Sequence, residues 1–293
     1  MFGIEKTKML VDEFSCERLS AHKENTQLIK SFTSYKSLEL PEYLKRYAWR
    51  EDARNQRAFY LVKERKKIVC YFSLQCGMLV KCHKKLLGGI VGKNTSSGTE
   101  FYIDTDKIEV SEVLPAMELA HFCINDLYRS KRIDVIKCGV REYSIGAFVF
   151  YKHIVPIVLE VAQKSGLRYL YLFCANDAIR DPFKRLNNYY MQQLNFRIMD
   201  DMACIRPDFD EDLECYTISI DNLQRDYERF IDLERAPIIL EYLHEHGTLG
   251  NYQAKREFGI KDPGYLFICL NSQGLASVDA KNSRGDIVRI KRK

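Results

Sequence analysis

Apolar residues follow two different spacings along the chain. From Asn25 to Arg57 they fall at helical intervals, first Leu28, Ile29 and Phe32, then Leu40, Tyr43, Leu44 and Tyr47 behind a Pro41 that suits a first turn. Two short helices are predicted there. Ala58 to Val62 and Ile68 to Val80 are instead rich in β-branched and aromatic residues and flank the charged turn Lys63-Glu64-Arg65-Lys66-Lys67, which reads as an antiparallel hairpin. A long connection from Lys81 to Leu114 contains Gly88-Gly89 and the polar cluster Asn94 to Gly98, and Pro115 then introduces a strand from Ala116 to Asn125. Ile145 to Lys164 is the strongest helical pattern, bounded by Ser144 and Gly166, with Pro156 predicting a kink inside it. Leu167 to Ala175 reads as a strand buried on both faces, followed by a helix over Lys184 to Leu194 and closing strands over Phe196 to Ile205 and Glu214 to Ile220. The order predicts an α/β fold with one mixed sheet flanked by helices.

After Asp221 the pattern changes. Leu223 to Leu233 is a charged helix, Ala236 to His246 carries Ile239, Leu240 and Leu243 on one face and ends at Gly247, and Asn251 to Phe258 and Pro263 to Asn271 are two more short helices. Leu275 to Ala280 and Asp286 to Ile290 form a hairpin around a basic tip. This is the order of a small winged-helix (α+β) domain. The expected division is thus residues 1–222, a linker helix over 223–235, and a basic module over 236–293.

Composition narrows the class. In 293 residues, 46% are hydrophobic and 29% charged, which excludes a disordered or low-complexity chain. The net charge of +5 is concentrated at one end: from Gly247 onward there are nine Lys and Arg against four Asp and Glu, so the remainder is neutral. The ten cysteines include no CxxC pair, and Cys82-His83 has no second pair at zinc-site spacing, so they are expected to be reduced, cytoplasmic and free of metal. With no run of about 18 apolar residues, no membrane contact is expected.

The segment Arg141-Glu142-Tyr143-Ser144-Ile145-Gly146-Ala147 opens the long helix. A phosphate cradle needs free amides at a helix N-terminus and small residues that allow close approach. The same residues also fit a polar loop with Ser144 as N-cap. Arg141, Ser144 and Gly146 fall at the defining positions of the pyrophosphate loop of the GNAT N-acetyltransferases, Arg/Gln-x-x-Gly-x-Gly/Ala, with Ser144 in place of the first glycine. Leu40, Tyr43-Leu44 and Ala48, then Phe59 to Val62 and Ile68 to Leu74, resemble the opening of the toxin-type branch of that family. Pro115 with Glu118 to Ile124 resembles its fourth strand, and Tyr189-Tyr190 before Leu194-Asn195-Phe196 its terminal motif. The resemblance covers about residues 15 to 222.

The resemblance implies a GNAT-like sheet, acetyl-CoA as co-substrate, and direct attack by a primary amine on the thioester. It places the pyrophosphate on the amides of Tyr143, Ser144, Ile145, Gly146 and Ala147 beside Arg141, and the pantetheine arm on the main chain of Phe122, Cys123 and Ile124. Asn176 matches a cofactor-contacting asparagine, or is a strand-end turn residue. Tyr190 is the candidate acid for the leaving thiolate, offset by one residue from the family position at Met191 unless a helical bulge restores the register, with Tyr189 as substitute. Glu118 is the candidate base. It lies three residues from His121, which stands where the branch usually has an arginine, so the two are expected on opposite sheet faces. Either residue also fits a structural role. Two insertions, one including Arg129-Ser130-Lys131-Arg132 and one between Asn176 and Tyr190, flank the expected site.

The acceptor class stays open between aminoacyl-tRNA, a protein and a small amine. The helix Tyr265 to Leu270 is mostly apolar and unsuited to reading bases, whereas Lys281, Arg284, Arg289, Lys291, Arg292 and Lys293 suit phosphate contact without sequence preference, so weak nucleic-acid contact through 281–293 is one expectation. A packing module that forms a homodimer is the other. A second function class is a nucleic-acid-binding regulator whose GNAT-like part senses acyl-CoA or is inert. A third is a toxin neutralised by its own C-terminal module.

Overall fold

The computed structural model describes residues 14–82, 90–95, 98–102, 110–129, 135–138, 141–174, 186–198, 202–207 and 214–293. Strand β1 (Phe14–Arg18) is followed by the entry helices, and then by β2 (Ala58–Glu64), β3 (Lys67–Cys82), β4 (Ile90–Thr95), β5 (Gly98–Tyr102) and β6 (Val110–Ile124). A ribbon, β7 (Val135–Cys138) and β8 (Arg141–Ser144), leads into the core helix Ile145–Ser165, and β9 (Tyr169–Cys174), β10 (Arg197–Ile198), β11 (Met202–Pro207) and β12 (Glu214–Ser219) complete the first part. Ten of these strands form one mixed sheet in the order β10-β12-β9-β6-β3-β11-β4-β5, with β2 also on β3 and β1 on β2. The fold is α/β, a mixed sheet flanked by helices.

Several boundaries differ from the sequence reading. The expected connection from Lys81 to Leu114 contains β4, β5 and the first residues of β6, because β11 and β4 extend the sheet and supply ladder partners that no local alternation announces. Pro115 lies within β6 and does not start it. Its carbonyl accepts from Arg168 N (2.9 Å) just before the β9 ladder begins, so its missing N–H faces a stretch where no sheet bond is lost. The expected single strand Phe196 to Ile205 is two, β10 on β12 and β11 on β3.

The core helix runs from Ser144, whose hydroxyl accepts from Ala147 N, to Gly166, which caps it at φ 70°. Pro156 does not produce the expected kink as an isolated break: a π turn over Phe150–Ile154 precedes it, and Pro156 sits in the first turn of the segment that follows, where its missing donor is tolerated. This helix is apolar and long enough to cross a membrane, but 67% of its apolar window is buried within the fold, among β3, β6 and β9.

The helix Ile220–Glu234 starts at an N-cap, Ser219, and leads to the helices Ala236–His246, Asn251–Phe258 and Pro263–Ser272 and to a three-stranded sheet, β13 (Thr248–Gly250), β14 (Ala276–Lys281) and β15 (Ile287–Arg292), in the order β13-β15-β14. It is firmly packed. Phe230 stacks on Tyr151 (5.6 Å, 19°) and meets Tyr143 (5.4 Å) and Phe148 (5.9 Å) edge-on, so one apolar core runs without interruption from the main sheet to Leu266, Phe267 and Ile290.

Candidate active site

β6 and β9 run parallel and are paired only at Ala116↔Tyr169, Met117↔Leu170 and Glu118↔Tyr171. Beyond Glu118 they part. The β6 edge from Leu119 to Ile124 therefore has no β9 partner, while its other edge stays bonded to β3, with Phe122, Cys123 and Ile124 opposite Phe72, Tyr71 and Cys70. A wedge between two parallel strands, lined by main-chain groups, is the result. Those are the three residues to which the resemblance assigns the pantetheine arm.

At the apex the sheet carries a bulge. On β3 the partners of Ser73 and Leu74 are His121 and Leu119, which leaves Ala120 as an extra residue. This overturns the expectation that Glu118 and His121 face opposite sides. Their partners, Gln75 and Ser73, are two apart on β3, so the added residue brings both side chains to one face.

That face holds a connected polar network. Arg57 donates to Gln75 Oε1 (2.8 Å) and to the Tyr43 hydroxyl (3.1 Å), Gln75 Nε2 donates to Glu118 Oε2 (2.5 Å), and the Tyr171 hydroxyl donates to the same oxygen (3.4 Å). Tyr43 donates to Glu51 Oε1 (2.6 Å) and lays its ring near His121 (4.5 Å between centroids), and Ser73 Oγ lies 2.7 Å from His121 Nδ1. Gly77 completes the apex, because a Cβ there would overlap the Tyr171 hydroxyl.

The environment separates the two candidates. Burial pushes the Glu118 carboxyl above its ordinary value, opposed by the Gln75 bond and the Arg57 charge, so it is a stronger proton acceptor than a surface carboxylate. Burial, reinforced by Arg57, pushes His121 down to about 3, which keeps the imidazole neutral and a poor acceptor. Glu118 is the base this geometry favours. Glu118→Gln is expected to remove the acid limb of kcat/KM against pH. In the parent protein that limb is expected to rise as Glu118 loses its proton, with a midpoint above the ordinary carboxylate range. A pH–rate series on both proteins measures this.

The expected loop from Arg141 is different in part. Arg141 to Ser144 form β8, where Tyr143 pairs with Ile136 and Ser144 with Val135, so the Tyr143 backbone belongs to a ladder and its ring is buried against Phe230. Tyr143 precedes the Ser144 N-cap, so its amide is not a first-turn amide of the core helix. Ser144 stands at φ −60° and ψ 152°, an extended conformation open to any residue, so replacing glycine with serine carries no strain. Its hydroxyl takes the Ala147 amide and donates to Gln193 Oε1 (2.6 Å), leaving Ile145 and Gly146 as first-turn amides with no acceptor inside the helix. Gly146 has a visible reason: a Cβ there would meet the Tyr189 hydroxyl at 2.5 Å. Arg141 itself donates to the hydroxyl of Tyr265 (2.8 Å). Two first-turn amides, a helix dipole and a nearby guanidinium fit a diphosphate.

Tyr190 lies in a π turn, Tyr189–Gln193, which is the one-residue bulge its register requires. Its ring packs on Tyr216 (6.0 Å), whose strand pairs with β9, and on Phe196 (6.2 Å). Burial raises its phenol, so it holds its proton. Tyr189 turns the other way. Its buried hydroxyl has no partner among the described residues and faces Gly146. Asn176 and most of both insertions lie outside the described residues. Arg57, Gln75, Tyr43 and Tyr171 were missed from sequence, because the register of β3 and β9 on β6 and the packing around it bring them together only in the fold; the isolated polar residues Ser73 and Gln75 within an apolar strand were the available signal.

No family model and no curated protein matches the chain. Similar solved structures include a tyrosine-to-phenylalanine mutant of the AtaT toxin, at 12% identity and a TM-score of 0.48, covering 74% of this chain and 94% of that one. AtaT complexed with acetyl-methionyl-tRNAfMet is similar at 12% identity and 0.43, over 73% and 99% of the two chains. The KacTA-DNA complex is similar at 12% and 0.45, over 73% and 98%.

Proposed function

We propose that the chain transfers acetyl from acetyl-CoA to a primary amine by direct attack. The observation that carries this is the β6–β9 wedge, with Glu118 at its apex and Tyr190 packed on Tyr216 of the strand beside β9. When bound, acetyl-CoA supplies an activated acetyl thioester. Ile145 and Gly146 amides and Arg141 hold the diphosphate, and the unpaired edge of β6 that includes Phe122, Cys123 and Ile124 lies along the pantetheine arm. Glu118, raised by burial, takes the proton of the incoming ammonium and frees the amine to attack the carbonyl carbon. Edge amides of β6 stabilise the oxygen as it gains charge. As the carbon–sulfur bond breaks, Tyr190 gives its proton to the departing thiolate, the nitrogen loses its second proton to solvent, and Tyr190 is reprotonated from the solvent.

Purified full-length protein with acetyl-CoA and a panel of small amines, lysine peptides and aminoacyl-tRNA, assayed for free thiol, tests this. Release of CoA that requires an amine is expected, and its absence with every amine would overturn the reading. A second reading, a nucleic-acid-binding regulator, draws on the C-terminal part, where helices and a hairpin follow a winged-helix order. Lys281, Arg284, Lys291, Arg292 and Lys293 are exposed and make no ion pair among the described residues. Salt-sensitive nucleic-acid binding without turnover is the result that favours it.

A further inference from the structure

Arg141 is an unusual cation in this fold. It makes no ion pair among the described residues, and what holds it is the neutral Tyr265 hydroxyl (2.8 Å) on one side and the face of Tyr143 (5.2 Å) on the other. Both leave its charge uncompensated. Its backbone lies three residues before the Ser144 N-cap of the core helix, whose N-terminal end is electropositive and favours an anion.

Tyr265 comes from the C-terminal helix Pro263–Ser272, more than 120 residues further along the chain, and its position is closely fixed. Its amide donates to Asp262 Oδ1 (3.1 Å), the N-cap of that helix. Asp262 in turn accepts from Arg229 Nε (2.9 Å), and the Arg229 guanidinium lies over the Tyr265 ring at 4.6 Å. Fully buried Asp232 accepts the amides of Lys261 (3.0 Å) and Asp262 (2.7 Å), which ties the start of this helix to Ile220–Glu234. Phe230, on that same helix, packs on Tyr143 directly beside Arg141. Each link is a short contact between regular elements.

We infer that Tyr265 is a positioning residue for the cofactor loop, by which the C-terminal module orients Arg141 toward the diphosphate of acetyl-CoA. The inference rests on the proposed acetyl-CoA site. It makes the C-terminal module a working part of that site, distinct from any role in binding a partner.

The test uses the full chain and compares the parent, Tyr265→Phe, Arg141→Gln and the double variant. Equilibrium binding of CoA is measured by calorimetry, with steady-state kinetics on acetyl-CoA and on S-acetylpantetheine, which lacks the diphosphate. Loss of the hydroxyl is expected to weaken CoA binding roughly fivefold to tenfold and to raise KM for acetyl-CoA by a similar factor, the size of one hydrogen bond. kcat and the constants for S-acetylpantetheine are expected to stay as they are, and in the Arg141→Gln background Tyr265→Phe is expected to have no further effect. Equal CoA affinity in the parent and Tyr265→Phe, or additive effects in the double variant, would overturn the inference while leaving the site intact. A parent protein that binds no CoA would remove the site and this inference together. Should Tyr265→Phe fold poorly, the comparison of CoA with S-acetylpantetheine in Arg141→Gln decides, since equal losses for both ligands contradict a role directed at the diphosphate.

Discussion

Tyr190→Phe is expected to lower kcat by about 10²- to 10⁴-fold, with KM for acetyl-CoA and the melting temperature close to those of the parent. The range is that of a positioned general acid, and it corresponds to about 3–5 kcal/mol of barrier. Phenylalanine keeps the ring that packs on Tyr216 and Phe196 and removes only the hydroxyl. Tyr189→Phe is the matched control. Its hydroxyl is buried, faces Gly146 and lacks a partner among the described residues, so deleting it removes no contact with the wedge and is neutral or slightly stabilising. Steady-state CoA release for both variants gives the answer. A loss of kcat in Tyr189→Phe equal to that in Tyr190→Phe would reassign the acid.

The largest effect on stability is expected at Asp52, which sequence reading did not single out. Its fully buried carboxylate accepts from Ser20 N (2.8 Å), Phe59 N (2.8 Å) and Arg18 Nε (2.9 Å), joining the end of β1, the last turn of the entry helix and the start of β2. Asp52→Ala leaves two amides and a guanidinium without their acceptor. Breaking a buried pair in this way costs about 3–5 kcal/mol, far more than the net worth of an intact pair at the surface. For a chain of this size the melting midpoint is expected to fall by roughly 10 °C, read by thermal denaturation monitored by circular dichroism. A fall of less than about 2 °C would mean that water or rearrangement satisfies the three donors.

The parts of the fold that were readable in sequence are those with local punctuation. Ala236–His246 and Asn251–Phe258 begin and end where Pro237, Gly247, Gly250 and Gly259 allow, and the β2–β3 hairpin turns within the charged run, with Arg65 at φ 55°. What could not be read depends on partners distant in sequence. β4 and β5 lack a clear alternation and owe their pairing to β11 and to each other. The Ala120 bulge is invisible in a strand pattern, yet it decides which face Glu118 and His121 share. The π turn at Tyr189–Gln193 was named as a requirement of the tyrosine's register, but nothing in the local sequence announced it. For the candidate site, the sequence pointed to Glu118, Tyr190 and the helix entry as candidates. It did not supply Arg57, Gln75 and Tyr171, which set the chemistry of Glu118 through long-range contacts.

The aromatic stack of Phe230 on Tyr143, Phe148 and Tyr151 has a mechanical meaning. The helix Ile220–Glu234 is not a tether with slack between two independent bodies: it packs on the core helix through Phe230 and, through Asp232 and Arg229, holds the start of the helix that carries Tyr265. Cutting the chain after Asp221 would therefore do more than release a module: it would strip the apolar cover from Tyr143, Phe148 and Tyr151 and expose a wound in the first half.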